Sequence, residues 1–122
     1  MIPKVVRQFI FERIDSIAHI EALLLLFRAR EERWSVVSVA KRLYITEQEA
    51  SDLLNRLQTQ GFVIKINESF QFHCEENEFV DLLNIVADVY TKHLISVTNL
   101  IHAKPSARIR EFADAFKLRK DR

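Results

Sequence analysis

Glycine is nearly absent from this chain: Gly61 stands alone among 122 residues. A phosphate-cradling loop needs several glycines to bring main-chain amides up to an anion, so P-loop and dinucleotide-binding chemistries are excluded. Cysteine is as scarce. Cys74 alone cannot close an internal disulfide, which suits a reducing cytosol, and no Cys-x-x-Cys or His-x-x-x-His spacing offers a zinc ligand set. Net charge is low as well: a formal +1 creates no strong overall field toward nucleic acid or membrane. The longest unbroken apolar run, Ala22 to Phe27, is far too short to span a bilayer. The first residues lack an apolar core followed by a small-residue cleavage site, so no secretory leader is expected and the cytoplasm is the expected location. No serine or cysteine sits in a nucleophile motif, and neither catalysis nor a cofactor is expected.

What the chain does have is apolar residues at 48% and charged residues at 29%, the balance of a folded globular protein. No repeat or long linker divides it, so one domain is expected over residues 1–122. Its parts are an N-terminal helical arm (1–33), a central module (34–74) and a C-terminal helical region (75–122). The predicted class is mainly α with a small β-hairpin.

The central module carries the clearest local signals. Trp34 opens a short strand expected to pair with a later hairpin. Ser35 is a plausible N-cap for a helix over 36–43, whose Val36, Val39, Ala40 and Leu43 share one face. Tyr44 and Ile45 make a turn. Thr46 caps the next helix, with Glu49 three residues on as a capping box, and Ala50, Leu53, Leu54 and Leu57 give it an apolar face. Gly61 falls where a helix C-terminus needs a left-handed residue. FVIKI and FQFHC then flank Asn67-Glu68-Ser69 and read as two strands.

In SVAKRLYITEQEASDLLNRLQTQGFV this order resembles the bacterial winged helix-turn-helix transcription regulators, most closely the small dimeric MarR and PadR families. Those families place a small residue in the first helix, a Leu before the turn, a Ser/Thr cap and a Leu-x-x-x-Gly-Phe/Leu-Val exit. The corresponding residues here are Ala40, Leu43, Thr46 and the run Leu57 to Val63. The resemblance implies a homodimer that sets two helices on a pseudo-palindromic site in double-stranded DNA. It also allows a small-molecule effector pocket between the dimer helices and the winged module.

The helix over 46–60 would put its N-terminal and outward residues in the major groove. Thr46, Gln48, Ser51 and Asn55 are the candidate base and backbone readers. Arg56 would take a guanine or a phosphate, while Lys41, Arg42 and Lys65 are the remaining cations of the module. Glu47, Glu49 and Asp52 oppose this by turning negative charge outward. With Glu68 they balance the four cations, so the module is neutral. Duplex affinity comes largely from phosphate neutralisation, and a neutral module must draw cations from elsewhere. Lys4, Arg7 and the basic tail (Arg108, Arg110, Lys117, Arg119, Lys120, Arg122) are available, although the tail also reads as a solvated helix end. The competing expectation is a protein-interaction adaptor that docks a partner on this acidic helix.

Outside the module, residues 1–14 read as a short helix after Pro3 or as an arm laid across a partner. Asp15 or Ser16 caps a helix to about Arg30. Its Ile17, Ile20, Leu23, Leu24 and Phe27 stripe is widened by Leu25 and Leu26, so a neighbouring subunit is expected as second cover. Acids Glu75 to Glu78 begin a long helix expected over 77–102. Phe79, Leu83, Val86, Tyr90, His93, Val97 and Leu100 form a heptad-like seam on it, beside a row of Val80, Ala87, Leu94 and Ile101. One seam can cover the chain's own core and the adjacent row then needs another surface, so this is the expected dimerisation helix, with Leu25 of the first long helix in the interface. His93 in the seam is a candidate pH-responsive residue, against the plainer role of a core or edge histidine. His73 and Cys74, adjacent in a strand, point apart and make no metal pair. A last helix over 107–118, with Ile109, Phe112, Ala113 and Phe116 on one face, is expected to fold back.

Overall fold

The computed structural model describes residues 2–104; the expected helix over 107–118 and the basic tail lie outside them. In chain order the elements are α1 (Lys4–Arg13), α2 (Ile17–Arg28), β1 (Trp34–Ser35), α3 (Val36–Leu43), α4 (Glu47–Thr59), β2 (Val63–Ile66), β3 (Ser69–Phe72), α5 (Asn77–Lys92) and α6 (Leu94–His102). The strands form an antiparallel sheet in the order β1-β3-β2. A mainly helical chain with this small sheet is compatible with a winged helix. Among the described residues no helix is long and apolar enough to cross a membrane.

The helix boundaries follow local chemistry. Pro3 opens α1, its carbonyl accepting from the Val6 and Arg7 N–H groups. Ser16 rather than Asp15 caps α2, accepting from His19 N–H at 3.1 Å. Ser35 caps α3 and Thr46 caps α4, accepting from the Ser38 and Glu49 N–H groups at 3.1 and 3.0 Å. The expected box at Thr46 closes through side chains instead: its hydroxyl donates to the Glu49 carboxylate at 3.2 Å. At the far end of α4, Gly61 adopts φ 85°. Phe62 N–H reaches Leu57 O, and Gly61 N–H reaches Gln58 O, the two bonds of a Schellman ending.

The hairpin turns on two residues, because Ile66 pairs with Ser69 and places Ser69 in β3 rather than in the loop. Asn67, at φ 56°, takes the left-handed position that its short amide side chain tolerates. Trp34 and Ser35 pair with Phe70 and Ser69, as the sequence predicts. His73 and Cys74 fall beyond β3.

Two expectations for the flanking helices are corrected. The helix over 77–102 is broken at His93, where φ −131° and ψ 47° leave the helical region. The Thr91 hydroxyl donates back to Ala87 O at 3.0 Å, loosening the last turn of α5. Past the break, α6 turns onto α1, where Val97 and Ile101 are buried. Much of the seam therefore packs on its own chain, while His93 is exposed and Leu100 only partly buried. Leu83, Val86, Val97 and Ile101 have no exposed surface and Tyr90 is buried, so none offers itself to a second subunit. Phe79 packs its ring on Phe62 and Phe9, at centroid distances of 5.2 and 5.9 Å. Leu25 is partly buried against the core and Leu94 is half-exposed. The second cover of α2 is likewise internal: α3, α4, α5 and β3 all pack on it. The alternatives for residues 1–14 resolve into α1, whose Val6, Phe9 and Ile10 are buried in the same core.

Candidate nucleic-acid interface

Helix α4 divides cleanly between an inner and an outer side. Ala50, Leu54 and Leu57 are buried inward, the consequence of apolar residues spaced three and four apart on a 3.6-residue turn. Outward, Thr46, Glu47, Gln48, Glu49, Asp52, Asn55 and Arg56 are exposed, and Ser51 is partly so. Among the described residues no element buries this polar side, and the start of α2 faces part of it across a cleft. Lys41 and Arg42, in the last turn of α3, and Lys65 on β2 are exposed too. Lys65 lies with Nζ 5.6 Å from the centre of the Phe70 ring.

Some of the expected readers are engaged within the chain. The Gln48 amide donates to Asp52 Oδ1 at 3.0 Å, one helical turn away. Arg56 Nε donates to Asp15 Oδ2 at 3.2 Å. The side chain of Asn55 is exposed and among the described residues has no hydrogen-bond partner, while its main-chain carbonyl accepts from the Thr59 hydroxyl. Glu47 and Glu49 occupy the first turn of α4, where carboxylates complement the positive helix end.

Behind Arg56 runs a polar chain that joins α4 to the α1–α2 junction. Gln60 Nε2 donates to Arg13 O at 2.7 Å, and Gln60 Oε1 faces His19 Nε2 at 2.8 Å. His19 Nδ1 accepts from the Asp15 main-chain N–H at 2.9 Å. A ring nitrogen that accepts from an amide carries no proton, so the proton sits on Nε2 and is donated to Gln60. His19 is almost wholly buried, and that burial holds the imidazole below its ordinary pKa; Gln60 and the Asp15 carboxylate pull the other way. Lys104, also buried, donates to Ile10 O and Ile14 O at the end of α1. His19, Gln60 and the second role of Asp15 were not marked by any sequence motif. Residues 41 and 47 positions apart meet here, and no local spacing announces it.

Two clefts flank these elements. One, of about 720 Å³, separates the start of α2 from α4 and is lined by Asp15, Ser16, His19, Glu49, Asp52 and Arg56. The other, of about 520 Å³, lies among α2, α3 and α5, with Leu24, Leu25, Arg28, Trp34, Arg42 and Tyr90 on its walls. On that second cleft the Tyr90 hydroxyl donates to Glu21 Oε1 at 2.7 Å; burial and this carboxylate both push the phenol pKa up. Trp34 Nε1 is buried there without a hydrogen-bond partner among the described residues.

Among the described residues no group of three or more His, Cys, Asp or Glu is placed to hold a metal ion. His73 Nε2 lies 3.5 Å from Glu75, and His93 is exposed at the α5–α6 break.

No protein-family model matches the chain, and no curated protein matches it. The functional reading therefore rests on the geometry of α3, α4 and the hairpin, together with the sequence resemblance.

Proposed function

We propose that the chain is a DNA-binding transcriptional regulator of the winged helix-turn-helix type, with α4 as the helix that enters the major groove. The observation that carries this reading is the uncovered polar side of α4, held out by a buried leucine face and followed directly by the hairpin. Asn55 is the base reader with an uncommitted amide, suited to an adenine edge. Lys41, Arg42 and Lys65 are the phosphate contacts of each protomer, with Arg56 beside them held by Asp15. Two copies would set the spacing of two half-sites. With Leu83, Val86, Tyr90 and Val97 buried internally, self-association would use the apolar groups exposed on α5 and α6: Ile85, Leu94 and Ile95. A small-molecule effector would sit in the cleft beside Trp34, the chain's sole tryptophan, whose fluorescence would report its binding.

Selecting bound fragments from random duplex DNA, followed by a salt titration on the winner, tests the proposal. Specific binding should weaken steeply with salt, with a log–log slope of about −0.9 for each phosphate neutralised. Lys41→Ala should flatten that slope by about 0.9 per protomer, whereas Asn55→Ala should relax sequence preference and leave the slope alone.

One observation favours a second reading. Glu47, Glu49 and Asp52 are exposed on α4 while its sole cation is tied to Asp15. That surface suits a basic protein segment, and the chain would then be an adaptor. Failure to retain the protein on duplex DNA at low salt would overturn the first reading in favour of this one.

A further inference from the structure

The carboxylate of Asp15 stands between two nitrogens. Its Oδ2 accepts from Arg56 Nε at 3.2 Å and lies 3.8 Å from His19 Nδ1. At present Nδ1 has no attraction for that oxygen, because it is an acceptor already filled by the Asp15 N–H. A proton added at Nδ1 would reverse this. Two donors, the Asp15 amide and the new Nδ1–H, would face each other, and the amide would lose its acceptor. Among the described residues the carboxylate oxygen that stands near Nδ1–H is Oδ2, which a small rotation of Asp15 would bring into reach. On the other side of the ring nothing changes, since Nε2 donates to Gln60 Oε1 in both states. The charged groups that bear on the ring come from several elements. Arg56 on α4 and Lys104 beyond α6 oppose its protonation, Asp15 favours it, and Glu49 and Asp52 on α4 line the same cleft.

We propose that His19 and Asp15 form a proton-operated catch on Arg56. With His19 neutral, Asp15 holds the guanidinium against the start of α2. With His19 protonated, the carboxylate turns to the imidazolium and Arg56 is released into the face of α4. The catch regulates the same surface to which DNA binding is assigned above, and it rests on that reading only for its consequence, one more phosphate contact per protomer in acid.

The intact protein, labelled with nitrogen-15, can be followed by NMR from about pH 8 to about pH 5, across the range in which histidine titrates. The Arg56 Nε–H and the His19 ring nitrogens should shift with one shared midpoint. In Asp15→Asn the Arg56 signal should hold its released position at every pH, and in His19→Gln it should not move with pH. Asp15 is partly exposed, so Asp15→Asn keeps the test decisive should the buried histidine variant fail to fold. An Arg56 signal that stays flat while His19 titrates overturns the catch. So does a His19 that remains neutral until the fold is lost. Salt titrations on selected DNA separate the two claims. A slope steeper by about 0.9 per protomer in acid, absent in Asp15→Asn, supports both. A catch seen by NMR without any DNA retention leaves the catch standing and removes the DNA reading. Retention with an immobile Arg56 does the reverse.

Discussion

Tyr44 holds a left-handed backbone, φ 58°, with its side chain 94% exposed. The turn needs that conformation: Tyr44 and Ile45 both point their N–H groups at Ala40 O, closing α3 so that the chain can reverse into α4. An L-residue pays about 1–2 kcal/mol there. Tyr44→Gly should therefore raise stability by about 0.5–1 kcal/mol after glycine's larger loss of freedom on folding, read as a higher urea midpoint at unchanged m-value. Tyr44→Ala keeps the strain and should change it by less than about 0.5 kcal/mol. His19 makes a prediction of opposite character. Its folded pKa is depressed, so its contribution to stability is complete above the unfolded imidazole value near 6.5 and is lost as pH falls from there through the depressed value. Urea midpoints measured at stepped pH should decline in acid for the parent protein. A His19→Gln variant that folds should show a shallower decline.

At the scale of elements, the pair α3–α4 was legible to the residue because each boundary has its own chemistry: Ser35, Thr46 and Gly61 act on atoms within one turn. Gly61→Ala should cost about 1–2 kcal/mol, all of it backbone strain, since a Cβ there meets nothing within 4 Å. A denaturant titration distinguishes this from Leu57→Ala on the buried side of the same helix, which should cost about 2–5 kcal/mol. The break at His93 was illegible for the converse reason. Neither proline nor glycine marks it, and it is set by the burial of Val97 and Ile101 against α1, far away in sequence. The heptad-like seam was ambiguous for a related reason. Leu83, Val86 and Tyr90 satisfy that spacing equally well against a partner or against their own α2, and periodicity cannot say which helix fills the other side. The chain from Arg13 O through Gln60 and His19 to Asp15 and Arg56 joins distant segments and leaves no local trace at all.

Considered whole, the molecule keeps one apolar core that reaches every described element, with few large apolar side chains outside it. Ile95 and its neighbour Leu94, at 77% and 49% exposed, lie side by side on the turn that follows the break. If self-association uses them, the double change Leu94→Lys and Ile95→Lys should lower the sedimentation coefficient to that of a single subunit and leave the thermal midpoint nearly unchanged. Val86→Ala should do the opposite, lowering thermal stability by about 0.5–3 kcal/mol without altering subunit number. The anchor of Lys104 on Ile10 O and Ile14 O adds a constraint of timing. A chain emerging from the ribosome can complete α3, α4 and the hairpin from neighbouring residues, yet the carbonyls that finish α1 must wait for an ammonium made ninety positions later. Helix α1 is thus locked only after that lysine has been made, and a ribosome stalled ahead of it would hold a finished centre with α1 still unsecured.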